Sequence, residues 1–286
     1  MTGPVAAILP DGRRLHLNHG PIDLVVGVDG PARDIAFATA TTRFETILQE
    51  LADELPSLRR APGQKPPQGS VPRRMYRAVV PHAAATFVTP MAAVAGAVAD
   101  EVLAAMHTAT PMTRAYVNNG GDIALHLDAG QSFRMAMAGL DGTDHGRIEV
   151  KADAPVRGLA TSGRGGRSMT MGVADAVTVL ARTSAQADVA ATLIANAVDL
   201  PNYPAITRQP ACVIDPNSDL GDRLVVKNCP QLARSDVETA LARGQEVAAR
   251  MESDGLIAGA ALFLQGASRL LAFPAIGATQ KVTEHA

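Results

Sequence analysis

The sequence predicts an α+β protein, a largely antiparallel sheet with helices packed on it. Three observations lead there. Short runs of alternating or continuous apolar residues recur with turn residues between them, as strands of a folded-back sheet require. Four longer stretches, near 42–55, 90–106, 184–198 and 235–251, carry helical apolar spacing or open on a capping residue. These helices lie far apart among the short strands, which argues against the strict alternation of a doubly wound parallel sheet. With 286 residues and 47% hydrophobic composition, the chain can bury a sizeable core, and a single domain over 1–286 is expected. Strands followed by a covering helix occur in both halves, which allows two related lobes.

Leu15 to Val28 reads as a strand pair, LHLN and IDLVVGV, turned at His19, Gly20 and Pro21. A helix then starts at Thr41 or Thr42, with Phe44, Ile47, Leu48, Leu51 and Leu55 on one face. The proline-rich stretch 56–72 cannot build a core and is expected as a surface loop. Met75 to Val80 is expected as a short strand, and Thr89-Pro90 caps the alanine-rich helix that follows. Ala92, Ala93, Ala95, Gly96, Ala97 and Ala99 leave that helix so little side chain that another backbone can lie against it, the preferred reading over ligand contact.

Tyr116 to Leu127 is read as two strands around Asn118–Gly121, either a plain hairpin turn or part of a site. Gln131 to Leu140 and Arg147 to Val150 continue the sheet. Val173 to Leu180 is a buried strand, and Thr183 or Ser184 caps the next helix. The Asp215, Asn217, Asp219 spacing resembles a calcium loop, but Leu220 and Val226 stand where glycine and a carboxylate are needed, so a turn is expected. Ser235 and Glu238 form a capping box for the last helix, and Gly255 to Gln265 is a final buried strand or helix.

The chemistry concentrates in 158–198. Thr161, Ser162, Gly163, Arg164, Gly165, Gly166, Arg167 and Ser168 combine open backbone, two cations and hydroxyls, the components a phosphate or pyrophosphate needs. Asp188 and Thr192 lie one turn apart on a single helix face, so a carboxylate and a hydroxyl point the same way. Asp188 also stands near the start of its helix, where a carboxylate favours the dipole without any metal.

Other classes are disfavoured. Charge is near balance at −2, with 26 Lys and Arg scattered, so no basic stripe argues for nucleic acid. No Trp, 3 Tyr and 6 Phe provide no base-stacking platform. Cys212 and Cys229 lie outside any metal or disulfide pattern and read as reduced thiols. His82 and His107 lack partners at ligand spacing. No apolar run suits a signal peptide or a membrane span, so a cytoplasmic protein without membrane partners is expected. Alanine-rich faces and the large apolar fraction suggest a homo-oligomer, a dimer first.

NNGGDIAL at 118–125, GLATSG at 158–163 and AVTVLARTSAQADVAATL at 176–193 resemble, in order and spacing, the ApbE superfamily, and within it an uncharacterised cytoplasmic branch. The resemblance implies an ApbE-like fold and a protein that binds a flavin nucleotide, FAD or FMN. It implies a magnesium-dependent FMN transferase or an enzyme that cleaves the FAD pyrophosphate. By the same resemblance Asn119, Gly120, Gly121, Asp122, Ser162 and Gly163 lie at the nucleotide, and Asp188 and Thr192 hold magnesium. The chain departs from the transferases in having RGGRSMTMGVAD after the SG loop, without their histidine and Asp-Pro. That departure leaves the acid–base residue unassigned and keeps two alternatives: a non-catalytic nucleotide-cofactor carrier, and an enzyme acting on another phosphorylated or pterin-like cofactor precursor.

Overall fold

A computed structural model describes residues 3–138, 144–166, 168–272 and 275–276. The architecture is α+β, as expected. The main sheet contains β1 (Val5–Ile8), β2 (Arg14–His19), β3 (Ile22–Asp29), β4 (Arg114–Asn119), β5 (Asp122–Leu127), β8 (Gly158–Ser162), β9 (Ala176–Ala181), β12 (Gly259–Leu264) and β13 (Ala267–Leu271), side by side in that order. Every neighbouring pair in it is antiparallel.

One face of this sheet carries the helices α1 (Arg33–Leu58), α2 (Ser70–Val79), α3 (Val94–Ala109), α4 (Ser184–Ala197) and α6 (Arg234–Ser253). The order strand, strand, helices, strand, strand occurs twice, as β2-β3-α1-α2-α3-β4-β5 and as β8-β9-α4-α6-β12-β13. Leu17, Leu24, Val26, Val117 and Ala124 alternate inward along their strands and meet Phe44, Ile47, Val98 and Val102 from the helices. The other face is partly covered by a small sheet, in which β6 (Ser132–Ala138) and β7 (Asp144–Lys151) form a ribbon joined by β14 (Ala275–Ile276). Leu125, Leu127, Ile148, Val150 and Leu159 make a second core between the two sheets.

The strand pairs 15–28 and 116–127, the cap at Thr89 and the cap at Thr183 are where the residues place them. Thr89 Oγ1 accepts from Met91 N at 3.2 Å and Thr183 Oγ1 from Gln186 N at 3.2 Å. After Thr89-Pro90 the chain makes a 3-10 turn over Pro90–Ala93 before α3 proper. The final apolar run resolves into the strand β12. The aspartate-rich stretch is a turn, with Asp215 Oδ1 accepting from Asn217 N at 2.9 Å.

Four expectations are corrected. The first helix begins at Arg33 rather than Thr41, because Ala36, Phe37 and Ala40 extend the buried stripe backwards. It also runs through Pro56, since Leu58 stays buried one half-turn later; the loop predicted from 56 therefore opens only at Arg59 and closes at Gly69. Met75–Val80 is not a strand but most of α2, where Val71, Met75, Ala78 and Val79 keep helical spacing. Arg43 and Arg74 tie α1 and α2 to Glu101 of α3 at 3.0 and 2.7 Å. The capping box at Ser235 and Glu238 does not form: Ala233 is the N-cap, and Glu238 instead pairs with Arg234 at 3.2 Å. The hairpin of β10 (Thr207–Pro210) and β11 (Leu224–Asn228), bridged by the single turn α5 (Ala211–Ile214), carried no recognised pattern. Among the described residues no helix is long and apolar enough to cross a membrane.

Candidate functional site

β4 and β5 are joined by the turn Asn118–Gly121. Asn119 and Asp122 face each other at its base, and Gly120 and Gly121 take φ values of +66° and +112°, a backbone that favours glycine. Asn118 Oδ1 accepts from Gly121 N at 2.8 Å and fixes the turn. At the far side of β5, β8 ends in Thr161 and Ser162, and Thr161 faces Thr178 of β9 with their hydroxyls 2.9 Å apart.

These pieces enclose one cavity. About 370 Å3 of space lies between the sheet and the β6–β7 ribbon, lined by Asn118, Gly120, Gly121, Thr161, Ser162, Gly165 and Gly166. The GG turn and the SG loop, distant in sequence, thus open on the same space. Apolar walls come from Ile123, Met135, Ile148, Leu159 and Phe263, and Asp175 and Thr178 add polar groups. Thr178, Asp175 and Phe263 were missed from sequence. Val173 to Leu180 was recognised as a strand, but its partner β8 was not, so the Thr161–Thr178 pairing could not be read.

The loop after Ser162 is tightly self-bonded. Gly163 has φ +140°, and a Cβ there would stand 2.6 Å from the carbonyl oxygen of Asp175. The amides of Arg164, Gly165 and Gly166 donate to Ala174, Asp175 and Gly163 carbonyls at 2.8, 3.3 and 3.0 Å. Arg164 turns back onto the loop: Nε donates to Val173 O at 3.0 Å and the guanidinium pairs with Asp175 at 2.5 Å. The three loop amides and the Arg164 guanidinium are thus engaged within the loop and its neighbours. Asp175 also accepts from Gln265 N at 2.5 Å and so fixes the loop to β12. Ser168 is exposed and outside the cavity lining; Arg167 lies outside the described residues.

Asn119, Asp122 and Asp188 meet on the opposite, helix-bearing side of the same turn. Side chains alternate along β4 and β5, so Asn118 and Ile123 face the cavity while Asn119 and Asp122 face the helices. Asn119, 5% exposed, donates Nδ2 to Ala95 O at 3.1 Å, and Asp122 is 9% exposed. Asp188 Oδ2 accepts the amide of Gly96 at 3.0 Å. Burial pushes the Asp188 carboxyl well above the ordinary carboxylate range; the Asp122 charge adds to this, and the amides of Gly96 and Ala95 oppose it. One turn away, Asp100 accepts from Ser184 N and Ala185 N at 3.0 and 2.9 Å. Burial drives Asp100 to about 6, against those two amides.

α3 and α4 thus cap each other's first turns. Asp188 was expected either to favour its own helix end or to hold a metal; in the structure it bonds the first turn of the neighbouring helix. Thr192 follows one turn along α4, half-buried. Among the described residues, no three His, Cys, Asp or Glu side chains are grouped to hold a metal ion. Two buried carboxylates in mutual repulsion, Asp122 and Asp188, are nonetheless a donor set that a divalent cation would relieve.

A family model described as AbpE bacteria matches residues 6–270. The chain belongs to that ApbE-like family. Curated relatives of this AbpE member are UPF0280 proteins. That of Methanothrix thermoacetophila is 40% identical over 119 residues, 41% of this chain and 49% of the relative. That of Methanopyrus kandleri is 35% identical over 169 residues, 58% of this chain and 57% of the relative. That of Archaeoglobus fulgidus is 39% identical over 114 residues, 39% of this chain and 45% of the relative. The chain spans about half the length of the curated relatives it matches. A solved structure described as apo Pseudomonas stutzeri flavinyl transferase ApbE is similar at TM-score 0.49 and 11% identity, over 97% of this chain and 99% of that one.

Proposed function

We propose that this AbpE-family protein binds a flavin nucleotide in the cavity between the main sheet and the β6–β7 ribbon. One observation carries the reading: the NNGG turn and the SG loop, the two segments whose residues resemble the superfamily's nucleotide-binding motifs, line a single space. The cavity suits a flat ring, with Met135, Ile148 and Phe263 as apolar walls and the hydroxyls of Thr161, Ser162 and Thr178 at one end. Such a site is mostly apolar with a few placed polar groups, as cofactor sites are.

Asp122 and Asp188 would hold magnesium with Thr192 beside them. Bound there, the cation would offset the repulsion between the two carboxylates and hold the helix side of the turn that lines the cavity. Asp188's own bond to Gly96 holds the carboxyl in place, and Asn119 locks the turn to α3 through Ala95. Arg164 is already neutralised by Asp175, so its part is to hold the loop in shape. That engagement favours, as a second reading, a carrier that retains the nucleotide without cleaving it.

Mixing the pure protein with FAD and magnesium, and following both retained flavin and AMP release, tests the two readings. Binding with AMP release makes it a transferase or pyrophosphate-cleaving enzyme; binding without release makes it a carrier. Ala176 of β9 also lines this cavity, and Ala176→Phe, which places a ring in it, should abolish flavin binding in either case. Flavin binding that survives this substitution would remove the cavity from consideration.

A further inference from the structure

A second cavity, of about 530 Å3, opens on the same sheet face at the other end of β4. Its centre is a row across three strands. Arg14 of β2 is the register partner of Gly27 of β3, and Gly27 is the partner of Tyr116 of β4. A Cβ at Gly27 would stand 2.3 Å from Tyr116 Cε1. The tyrosine ring therefore lies across the neighbouring strand, in the space that Gly27 leaves open. Phe133 of β6 meets that ring edge-on with centroids 5.9 Å apart. The result is a floor formed by the Tyr116 ring, with Phe133 standing nearly perpendicular to it, in a cleft open to solvent.

Cations surround that floor. Arg13, Arg14, Arg33 and Arg114 line the cavity, against the two aspartates Asp29 and Asp34. Arg114 is held rigidly: it donates to Asp29 at 2.8 and 2.5 Å and to Ser132 O at 3.0 Å, and it stacks over Phe133 at 4.9 Å. Arg14 is paired with Asp11 at 2.5 Å. The other two remain available. Among the described residues the Arg13 guanidinium has no carboxylate partner, and the only carboxylate Arg33 reaches is Asp34, at 3.9 Å, while its guanidinium lies 6.0 Å over the Phe37 ring. The same rim carries the start of the 26-residue helix α1, whose N-cap Ala32 offers no side-chain acceptor to its first amides.

The Tyr116 ring, flanked by planar guanidinium forks, matches a ligand with a ring and a negative charge at its edge. We propose that this cavity is a second ligand site, for a planar aromatic anion, with Tyr116 against the face of the ring, Phe133 at its edge, and Arg13 and Arg33 on the carboxylate or phosphate. This site does not rest on the flavin reading. Tyr116 and Asn118 lie two residues apart on one face of β4, but the first lines this cavity and the second the other.

4-Fluorobenzoate, followed by fluorine NMR, is the probe, with 4-fluorobenzyl alcohol as the uncharged ring. The acid should bind at millimolar concentration or better, and the alcohol about tenfold or more weakly, the loss expected for a charge-assisted hydrogen bond. Arg13→Ala with Arg33→Ala, checked for an intact melting transition, should weaken the acid to the level of the alcohol. Tyr116→Leu, checked for an intact melting transition, should weaken both probes. Displacement of the acid by AMP assigns the natural anion to the phosphates; failure of AMP to displace it assigns it to the carboxylates. Equal binding by the double variant would overturn the proposal, as would displacement by inorganic phosphate as effective as by AMP, which would leave only a charged patch. Loss of the probe in Ala176→Phe would place it in the other cavity and equally overturn the proposal, whatever becomes of flavin binding.

Discussion

The amide of Gly96 donates to Asp188 at 3.0 Å, and a Cβ on Gly96 would stand 2.4 Å from the carbonyl oxygen of Ser184. The first turn of α3 lies backbone to backbone on the first turn of α4, and each helix supplies a carboxylate, Asp100 or Asp188, to the other's amides. From the other side Gly158 of β8 presses on the same Thr183–Ser184 peptide, where its Cβ would meet Ser184 N at 2.1 Å.

Gly96→Ala should consequently destabilise the protein by about 1–3 kcal/mol or more, the range for overpacking a site that cannot yield, because the obstructing atoms, the Ser184 carbonyl and the Ala185 nitrogen, are backbone. Ala97→Gly on the same helix, also buried, is the comparison for general loss of helix stability. Denaturant midpoints for the two variants separate the cases. A Gly96→Ala protein as stable as the wild type would mean that the helices do not cross this closely.

Asp188 invites two substitutions with different expected results. A purely metal-binding Asp188 would allow Asp188→Ala without change in the ligand-free protein. The bond to Gly96 overturns that expectation: alanine removes an amide acceptor and should cost about 0.5–2 kcal/mol, as other lost caps do. Asp188→Asn keeps an acceptor oxygen and removes the repulsion with Asp122, so the ligand-free melting temperature should hold or rise. Magnesium-dependent flavin binding should nevertheless fall by more than the about tenfold typical of outer-shell changes. If Asp188→Asn binds with full magnesium dependence, the carboxylate serves only to cap α3.

Much of this was legible in the residues. Alternation along 15–28 and 116–127 and the hydroxyl caps at Thr89 and Thr183 are local signals, and the structure keeps them. The small residues of 92–99 announced a close backbone approach, and Ser184 is the backbone that approaches Gly96. Which side of the sheet each site residue faces could not be read, since it depends on how the strands register. Asn118 and Asn119 are neighbours in sequence, yet they line the cavity and the helix layer respectively. The partner of Arg164 was hidden for the same reason: Asp175 reaches it only because the loop doubles back. Met75–Val80 failed as a strand because six apolar-rich residues fit either period, and the ion pairs to Glu101 that favour the helix come from distant residues.

Ser184 gives a prediction of opposite sign. Its side chain is fully buried, and Oγ has no hydrogen-bond partner among the described residues. An unsatisfied buried hydroxyl costs about 1–3 kcal/mol, so Ser184→Ala should leave stability unchanged or increase it. Thermal melts of the ligand-free protein measure this directly. A clear loss of stability would show that the hydroxyl has a partner after all, and Asp188 on the same helix would be the first to check.

His82 supplies the pH dependence. It lies 7% exposed in the turn that follows α2, beside a cleft of about 700 Å3 shared with Arg208, Asp199, Arg250 and Asp254. Arg208 and Asp199 are paired at 2.5 Å, so neither is free to stabilise a histidine charge. Burial lowers the His82 pKa below its ordinary 6.5. With the folded value below the unfolded one, the unfolded chain binds more protons as the pH drops. This contribution to stability is therefore complete above pH 6.5 and is lost as the pH falls toward the lowered folded value. His82→Gln removes the titration while keeping a polar side chain of similar size. The variant should be less stable than the wild type at pH 7.5, and the gap in urea midpoints should narrow by pH 5. A gap of constant width across that range would show that His82 is charged equally in both states, and that its burial does not control its proton.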